Sequence, residues 1–177
     1  HQVRRQRRLA RPHSPGNTMA GNASDFLEQK LLKHILGIDT WNSPGTVYLG
    51  LSTNFNPSDA NISELAGNNY TRKSITFNVP LTNTNRLTYV KNAADVDFDQ
   101  ATGNWGMVSS FHLWNAINGG DLLAYGTFMP GIMVNNGDRV RIKAESLTLK
   151  ISGWSQYLQE KLLNHAFRSV GYTQPSI

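Results

Sequence analysis

Cysteine is absent from the 177 residues, which excludes disulfides, thiolate metal ligands and thiol nucleophiles. An 18-residue apolar run is missing too, as is a secretory apolar segment near the start, so no helical membrane span is expected. There is no GxGxxG or GxxxxGK[ST] loop to cradle phosphates and no HExxH pair to hold zinc. Charged residues make up only 16%, and no acid precedes Asp25. Arg4, Arg5, Arg7, Arg8 and Arg11 all fall within that gap. These five account for the whole net charge of +5, because the rest of the chain carries 12 residues of each sign. A basic arm on a neutral body points to an acidic partner, protein or nucleic acid. The plain alternative is a solubilising tail or an upstream extension, since Met19 opens MAGNASDFLEQ in the manner of an initiation site.

What the chain does contain is a repeat. Ser24–Leu36, SDFLEQKLLKHIL, returns 131 residues later as Ser155–Phe167, SQYLQEKLLNHAF. Ser24, Leu27, Lys30, Leu31, Leu32 and His34 reappear as Ser155, Leu158, Lys161, Leu162, Leu163 and His165. The match continues beyond the helix, with Trp41 on Tyr172 and Pro44 on Pro175. Both copies are apolar at helical spacing, so each predicts an amphipathic helix that needs a surface to cover its stripe. In the second copy, Tyr157, Leu158, Leu162 and Phe167 form that stripe, to be docked on the same body or exchanged with a neighbouring subunit.

Between the repeats the period is two. Strands are expected over Thr46–Ser52, Tyr70–Val79, Leu87–Val90, Ala94–Phe98, Trp105–Trp114, Leu122–Phe128, Val140–Ile142 and Leu147–Ile151. Polar turns separate them, and Pro130-Gly131 reads as an interruption after the sixth. The pattern predicts a mainly β fold: an antiparallel, jelly-roll-like β-sandwich with flanking N- and C-terminal helices and an extended N-terminal arm. The expected divisions are 1–22 as basic arm, 23–152 as helix plus sandwich, and 153–177 as a helical arm repeating 24–46. Gly37 and Gly171 are the expected helix terminators.

Chemistry is sparse. His34 and His165 occur one per repeat, which favours a packing or helix-end role. His112, in SSFHLWN, reads as a structural strand histidine, and Ser109 and Ser110 lack nucleophile-elbow glycines. Asp95, Asp97 and Asp99 alternate and would share a strand face; a cation is conceivable there, but solvated edge carboxylates are the better reading. No two carboxylates are paired by the pattern as a glycosidase would require. The four tryptophans are dispersed, and burial is the stronger expectation for them than a sugar platform. The body has no basic recognition helix, so nucleic acid is not an expected partner. No cofactor, metal site or enzymatic activity is expected.

Five segments, MAGNASDFLEQKLLKHIL, SPGTVYLGLST, ELAGNNYTRKSITF, ATGNWGMVSSFHLWNAINGGDLLAYG and VNNGDRVRIKAESLTLKIS, resemble in order a family of small tailed-bacteriophage virion proteins. Its members are described as capsid decoration (cement) or tail-fibre-like proteins. The resemblance covers residues 19–152 and implies a non-enzymatic β-sandwich virion component with no catalytic residues to carry over. The basic extension and the second helix depart from a single-unit pattern. Two arms suit the tying together of subunits, so the expectation is a cement protein on the outer surface of the capsid, assembled in the host cytoplasm. Its expected partners are the phage major capsid protein and further copies of itself, as dimer or trimer, but not a membrane. The alternative is a tail-fibre or baseplate structural protein with host-glycan contact. Interaction residues are expected in the arm (Arg4, Arg5, Arg7, Arg8, Arg11) and on the second helix (Tyr157, Leu158, Leu162, Phe167).

Overall fold

A computed structural model describes residues 19–151 and 154–172. The first described element is a strand, β1 (Met19–Ala23), followed by α1 (Asp25–Ile35). The strands β2 (Val47–Ser52), β3 (Lys73–Ile75), β4 (Leu81–Thr82), β5 (Thr88–Lys91) and β6 (Val96–Asp97) come next. They are followed by β7 (Gly106–Trp114), β8 (Leu122–Val134), β9 (Arg141–Ile142), β10 (Leu147–Ile151) and finally α2 (Gln156–Arg168).

Eight strands form one sheet in the order β3-β2-β7-β8-β1-β10-β5-β4, while β6 and β9 pair separately. The sheet curls into a half-barrel flanked by the two helices. The expectation of a closed jelly-roll-like sandwich is therefore corrected; the mainly β class and the flanking helices stand. The reason lies in β1, which begins inside the stretch read as arm. It runs antiparallel to β8 (Gly21 opposite Gly126) and parallel to β10 (Gly21 opposite Leu149). One inserted strand thus joins what would otherwise be two strand groups into a continuous sheet, and gives it its one parallel pairing among the described strands. Gly21 suits the crowded seam: a Cβ there would meet Leu149 Cδ2 at 2.7 Å and Phe111 Cζ at 3.2 Å.

Alternation governs the inner face. Leu49 and Leu51 of β2, Phe111 and Leu113 of β7, and Leu147 and Leu149 of β10 are all buried, together with Phe98, Phe128 and Leu123. Three expected strands change length by more than one residue, and Ala94–Phe98 contracts to β6. Tyr70–Val79 contracts to β3, and Tyr70 and Arg72, ahead of it, turn their side chains into a polar cluster described below. Conversely, β8 carries on through Pro130 to Val134, with a cis Met129–Pro130 bond. Proline is tolerated there because the ladder to β7 shifts register between Val108 and Ser110, where strict pairing is already interrupted.

The two helices start alike and sit differently. Ser24 Oγ accepts from Leu27 N at 3.1 Å and donates to the Leu122 carbonyl, and Ser24 is fully buried. Ser155 Oγ accepts from Leu158 N at 3.3 Å in an exposed position. Ser24→Ala is accordingly expected to cost about 2 kcal/mol and Ser155→Ala about 0.5–1 kcal/mol, the upper and lower parts of the capping range. Denaturant midpoints of the two variants would check the order. Helix α1 ends as expected, with Gly37 at φ +69°, whereas α2 ends on Ser169 at φ +54° rather than at Gly171.

Candidate interaction site

The repeated units meet. His34 near the end of α1 and His165 near the end of α2 stack with ring centroids 4.8 Å apart and planes within 6°. Each ring accepts from the backbone seven residues on: Trp41 N donates to His34 Nδ1 at 3.3 Å, and Tyr172 N donates to His165 Nδ1 at 3.2 Å. Each then reaches across to the other unit. His34 Nε2–H donates to the Tyr172 carbonyl at 3.1 Å and His165 Nε2–H to the Trp41 carbonyl at 2.8 Å. Both Nδ1 atoms thus face N–H donors and both Nε2 atoms face carbonyls, which places a ring hydrogen on Nε2 in each. The aromatic partners cross in the same way, with Trp41 edge-on to His165 and Tyr172 edge-on to His34. This is a pseudo-twofold clasp between two copies of one helix–loop unit. The packing role read for the histidine pair takes this form.

The rest of α2 docks on its own chain. Leu162, Leu163, Ala166 and Phe167 are buried, and Phe167 lies 5.5 Å from Phe77. Gln159 Oε1 accepts from Thr88 N, and Ser169 Oγ donates to the Pro44 carbonyl. Of the four stripe residues named from sequence, Leu162 and Phe167 are committed to this seat and Leu158 is partly buried. Tyr157 is 65% exposed, with the Lys161 ammonium 5.5 Å from its ring centroid. Arg4, Arg5, Arg7, Arg8 and Arg11 lie outside the described residues. Between the helices runs a groove of about 460 Å3, walled by Leu31, Leu32, Ile151 and Leu162 and edged by Glu28 and Trp154.

A second cluster was not legible as a site. Arg72, buried to 8% exposure, donates through Nε and Nη2 to the two Glu64 oxygens at 2.8 and 2.7 Å. Its Nη1 donates to the Ala116 and Gly119 carbonyls at 2.8 and 2.7 Å, and its guanidinium lies 4.0 Å over the Trp114 ring. Tyr70 O–H donates to Glu64 Oε1 and accepts from Leu51 N. Trp114 Nε1–H donates to His112 Nδ1 at 2.8 Å. Two of the family-like segments, ELAGNNYTRKSITF and ATGNWGMVSSFHLWNAINGGDLLAYG, thus meet side chain to side chain. The only sequence signal was the alternation of Glu64, Tyr70 and Arg72 with a Trp–His pair two apart on β7.

The electrostatics follow from burial. Burial alone would raise the Glu64 carboxyl, but the Arg72 guanidinium beside it outweighs that and holds it below its usual value. Burial raises the Tyr70 phenol, and Glu64 reinforces the effect. Burial pushes His112 down to about 4, against the pull of Glu64 and with the help of Arg72. The folded chain therefore keeps His112 neutral where the unfolded chain protonates it, at an ordinary value of 6.5. Its contribution is complete above that pH and is lost as pH falls through about 4. Unfolding free energies at stepped pH should fall across this window by up to about 1.4 kcal/mol per pH unit for each such histidine. A flat profile between pH 6.5 and 4 would refute the assignment.

The remaining candidates are used up locally. Asp97 forms a bidentate pair with Arg141, Asp95 accepts from Ala144 N and lies 3.8 Å from Arg141, and Asp99 pairs with Lys73. Among the described residues no His, Cys, Asp and Glu cluster could hold a metal ion. Nor is any described helix long and apolar enough to cross a membrane. Trp41 and Trp105 are buried, Trp114 is under Arg72, and Trp154 is 41% exposed on the groove.

Residues 22–150 match the model of the family described as Podophage GP4 fiber I protein gp80. The matched span runs from β1 into β10 and leaves out α2. No curated protein matches the chain.

Proposed function

The chain belongs to the podophage gp80 fibre family and is a bacteriophage virion structural protein of the fibre type, with a non-enzymatic role; on that premise we propose that it is a structural part of the tail appendage. The observation that carries this reading is the family match over 129 residues, from 22 to 150, to a family described as a fibre and not as a capsid decoration protein. The cement reading drew its appeal from two free arms. One of these, α2, has its Leu162 and Phe167 already seated on its own body, which weakens that appeal.

In this reading the partners are neighbouring copies of the chain and an acidic surface of an adjoining virion protein. Arg4, Arg5, Arg7, Arg8 and Arg11 supply the complementary charge, and Trp154, on the groove between the helices, supplies a stacking face for host glycans. Localisation on intact virions, by density at side-chain resolution or by labelled antibody, tests the assignment. Density on the tail is the expected result. Density on the head shell alone would return the protein to the cement class. Replacing the five arginines by serine is expected to weaken virion retention more at low salt than at high salt, and equal retention at every salt would remove the arm's electrostatic role.

A further inference from the structure

We propose that Asn118 is a site of spontaneous conversion to isoaspartate, selected over the chain's other Asn-Gly pair by the hydrogen bonding of the fold, and that the change loosens the loop clamped by Arg72. Asparagine precedes glycine twice, at Asn118-Gly119 and Asn136-Gly137. Glycine is the follower that least obstructs this reaction, because it has no Cβ. All four residues are exposed, so access to water does not separate the two pairs.

The main-chain amide does. The reaction begins when the glycine N–H gives up its proton and the nitrogen attacks the carbonyl carbon of the asparagine side chain. The new nitrogen–carbon bond closes a succinimide ring, and the side-chain nitrogen leaves as ammonia. Water then opens the ring at either carbonyl, giving aspartate or isoaspartate, and no other reactant is consumed. Gly137 is held back from this path. Its N–H donates to the Ala101 carbonyl at 2.8 Å, and its carbonyl accepts from Gln100 Nε2 at 2.7 Å. Asn136 N donates to Asn104 Oδ1 at 2.9 Å, and Asp138 N to the Asn135 carbonyl at 3.0 Å. Freeing the Gly137 nitrogen for attack breaks bonds of this turn. Among the described residues, by contrast, the Gly119 N–H and the Asn118 side chain have no hydrogen-bond partner. A Cβ built on Gly119 would meet nothing within 4 Å, so the space around it is open.

The consequence falls on Arg72. Its Nη1 donates to the carbonyls of both Ala116 and Gly119. In isoaspartate the main chain runs through the side-chain carboxyl carbon, which adds one methylene between those two acceptors. The spacing that lets one nitrogen reach both is then lost. Aspartate, the other product, leaves the main chain as it was and adds only a carboxylate, on the hollow that residue 118 shares with Arg72. A virion structural protein is not renewed after assembly, so the conversion accumulates with the age of the particle.

Peptide mass mapping of the full chain, aged in warm, mildly alkaline buffer, with isoaspartyl peptides separated from aspartyl ones, tests the proposal. In the folded chain Asn118 should convert faster than Asn136, by about fivefold for each hydrogen bond of the 135–138 turn that has to open. In urea, with both pairs freed of the fold, the two rates should come together. The fraction carrying isoaspartate at position 118 should unfold at a lower urea midpoint than the fresh chain. The variant Asn118→Asp, which has the charge without the added methylene, should stay close to the parent. Asn136 converting as fast as Asn118 in the folded chain, or Asn118 staying intact there while both sites convert in urea, would overturn the site. An isoaspartyl fraction that unfolds at the parent's midpoint would overturn the effect on the clamp.

Discussion

Arg72→Ala is expected to lower the unfolding free energy by about 3–5 kcal/mol, the cost of breaking a buried ion pair from one side. The guanidinium makes four hydrogen bonds, two to Glu64 and one each to the carbonyls of Ala116 and Gly119. Removing it leaves a partly buried carboxylate and two carbonyls without their donor, and strips the covered face of Trp114. Lysine does not substitute, because a point charge on a flexible stem cannot serve a carboxylate and two carbonyls in one plane. Arg72→Lys should therefore lose most of what alanine loses. In urea unfolding near pH 7.5, the double variant Arg72→Ala/Glu64→Gln should be less destabilised than the sum of the two single changes, since neither partner is then left charged and alone. A change below about 1 kcal/mol in Arg72→Ala would mean that the loops 53–67 and 115–120 hold themselves in place without the clamp, against the cost that a severed buried pair carries.

The second large effect is expected from the strand that the repeat pattern concealed. Deleting residues through Ala23 removes β1, and with it the ladders to both β8 and β10. The strands β3, β2, β7 and β8 would then lose their connection to β10, β5 and β4, opening two edges inside the core. No cooperative unfolding transition should remain, and the product should aggregate through those edges. Deletion through Thr18 removes none of the described strands and is the matched control. A chain beginning at Ser24 that melts cooperatively, within a few degrees of that control, would show that β1 is dispensable.

Much of this was legible in one dimension. Helix positions came from apolar spacing, and α1 and α2 lie within a residue or two of their repeats. Leu147–Ile151 and the long β7 are where alternation put them. These features depend on neighbours within a few residues, so local pattern carries them. The virion class was likewise legible in the order of five segments, though the choice between cement and fibre was not.

Sequence alone therefore determined the mainly β class, the two amphipathic helices and their relation as copies. Tertiary structure decided that β1 joins the strands into one curled sheet instead of two stacked ones. It also decided that the copies clasp through their histidines, and that Arg72 and Glu64 form the centre of a buried polar cluster. Each of these is a contact between segments far apart in the chain: Met19 with Leu147, His34 with His165, Arg72 with Gly119. The free energy of such contacts resides in distance, burial and orientation between segments, and a pattern of neighbouring residues carries none of the three.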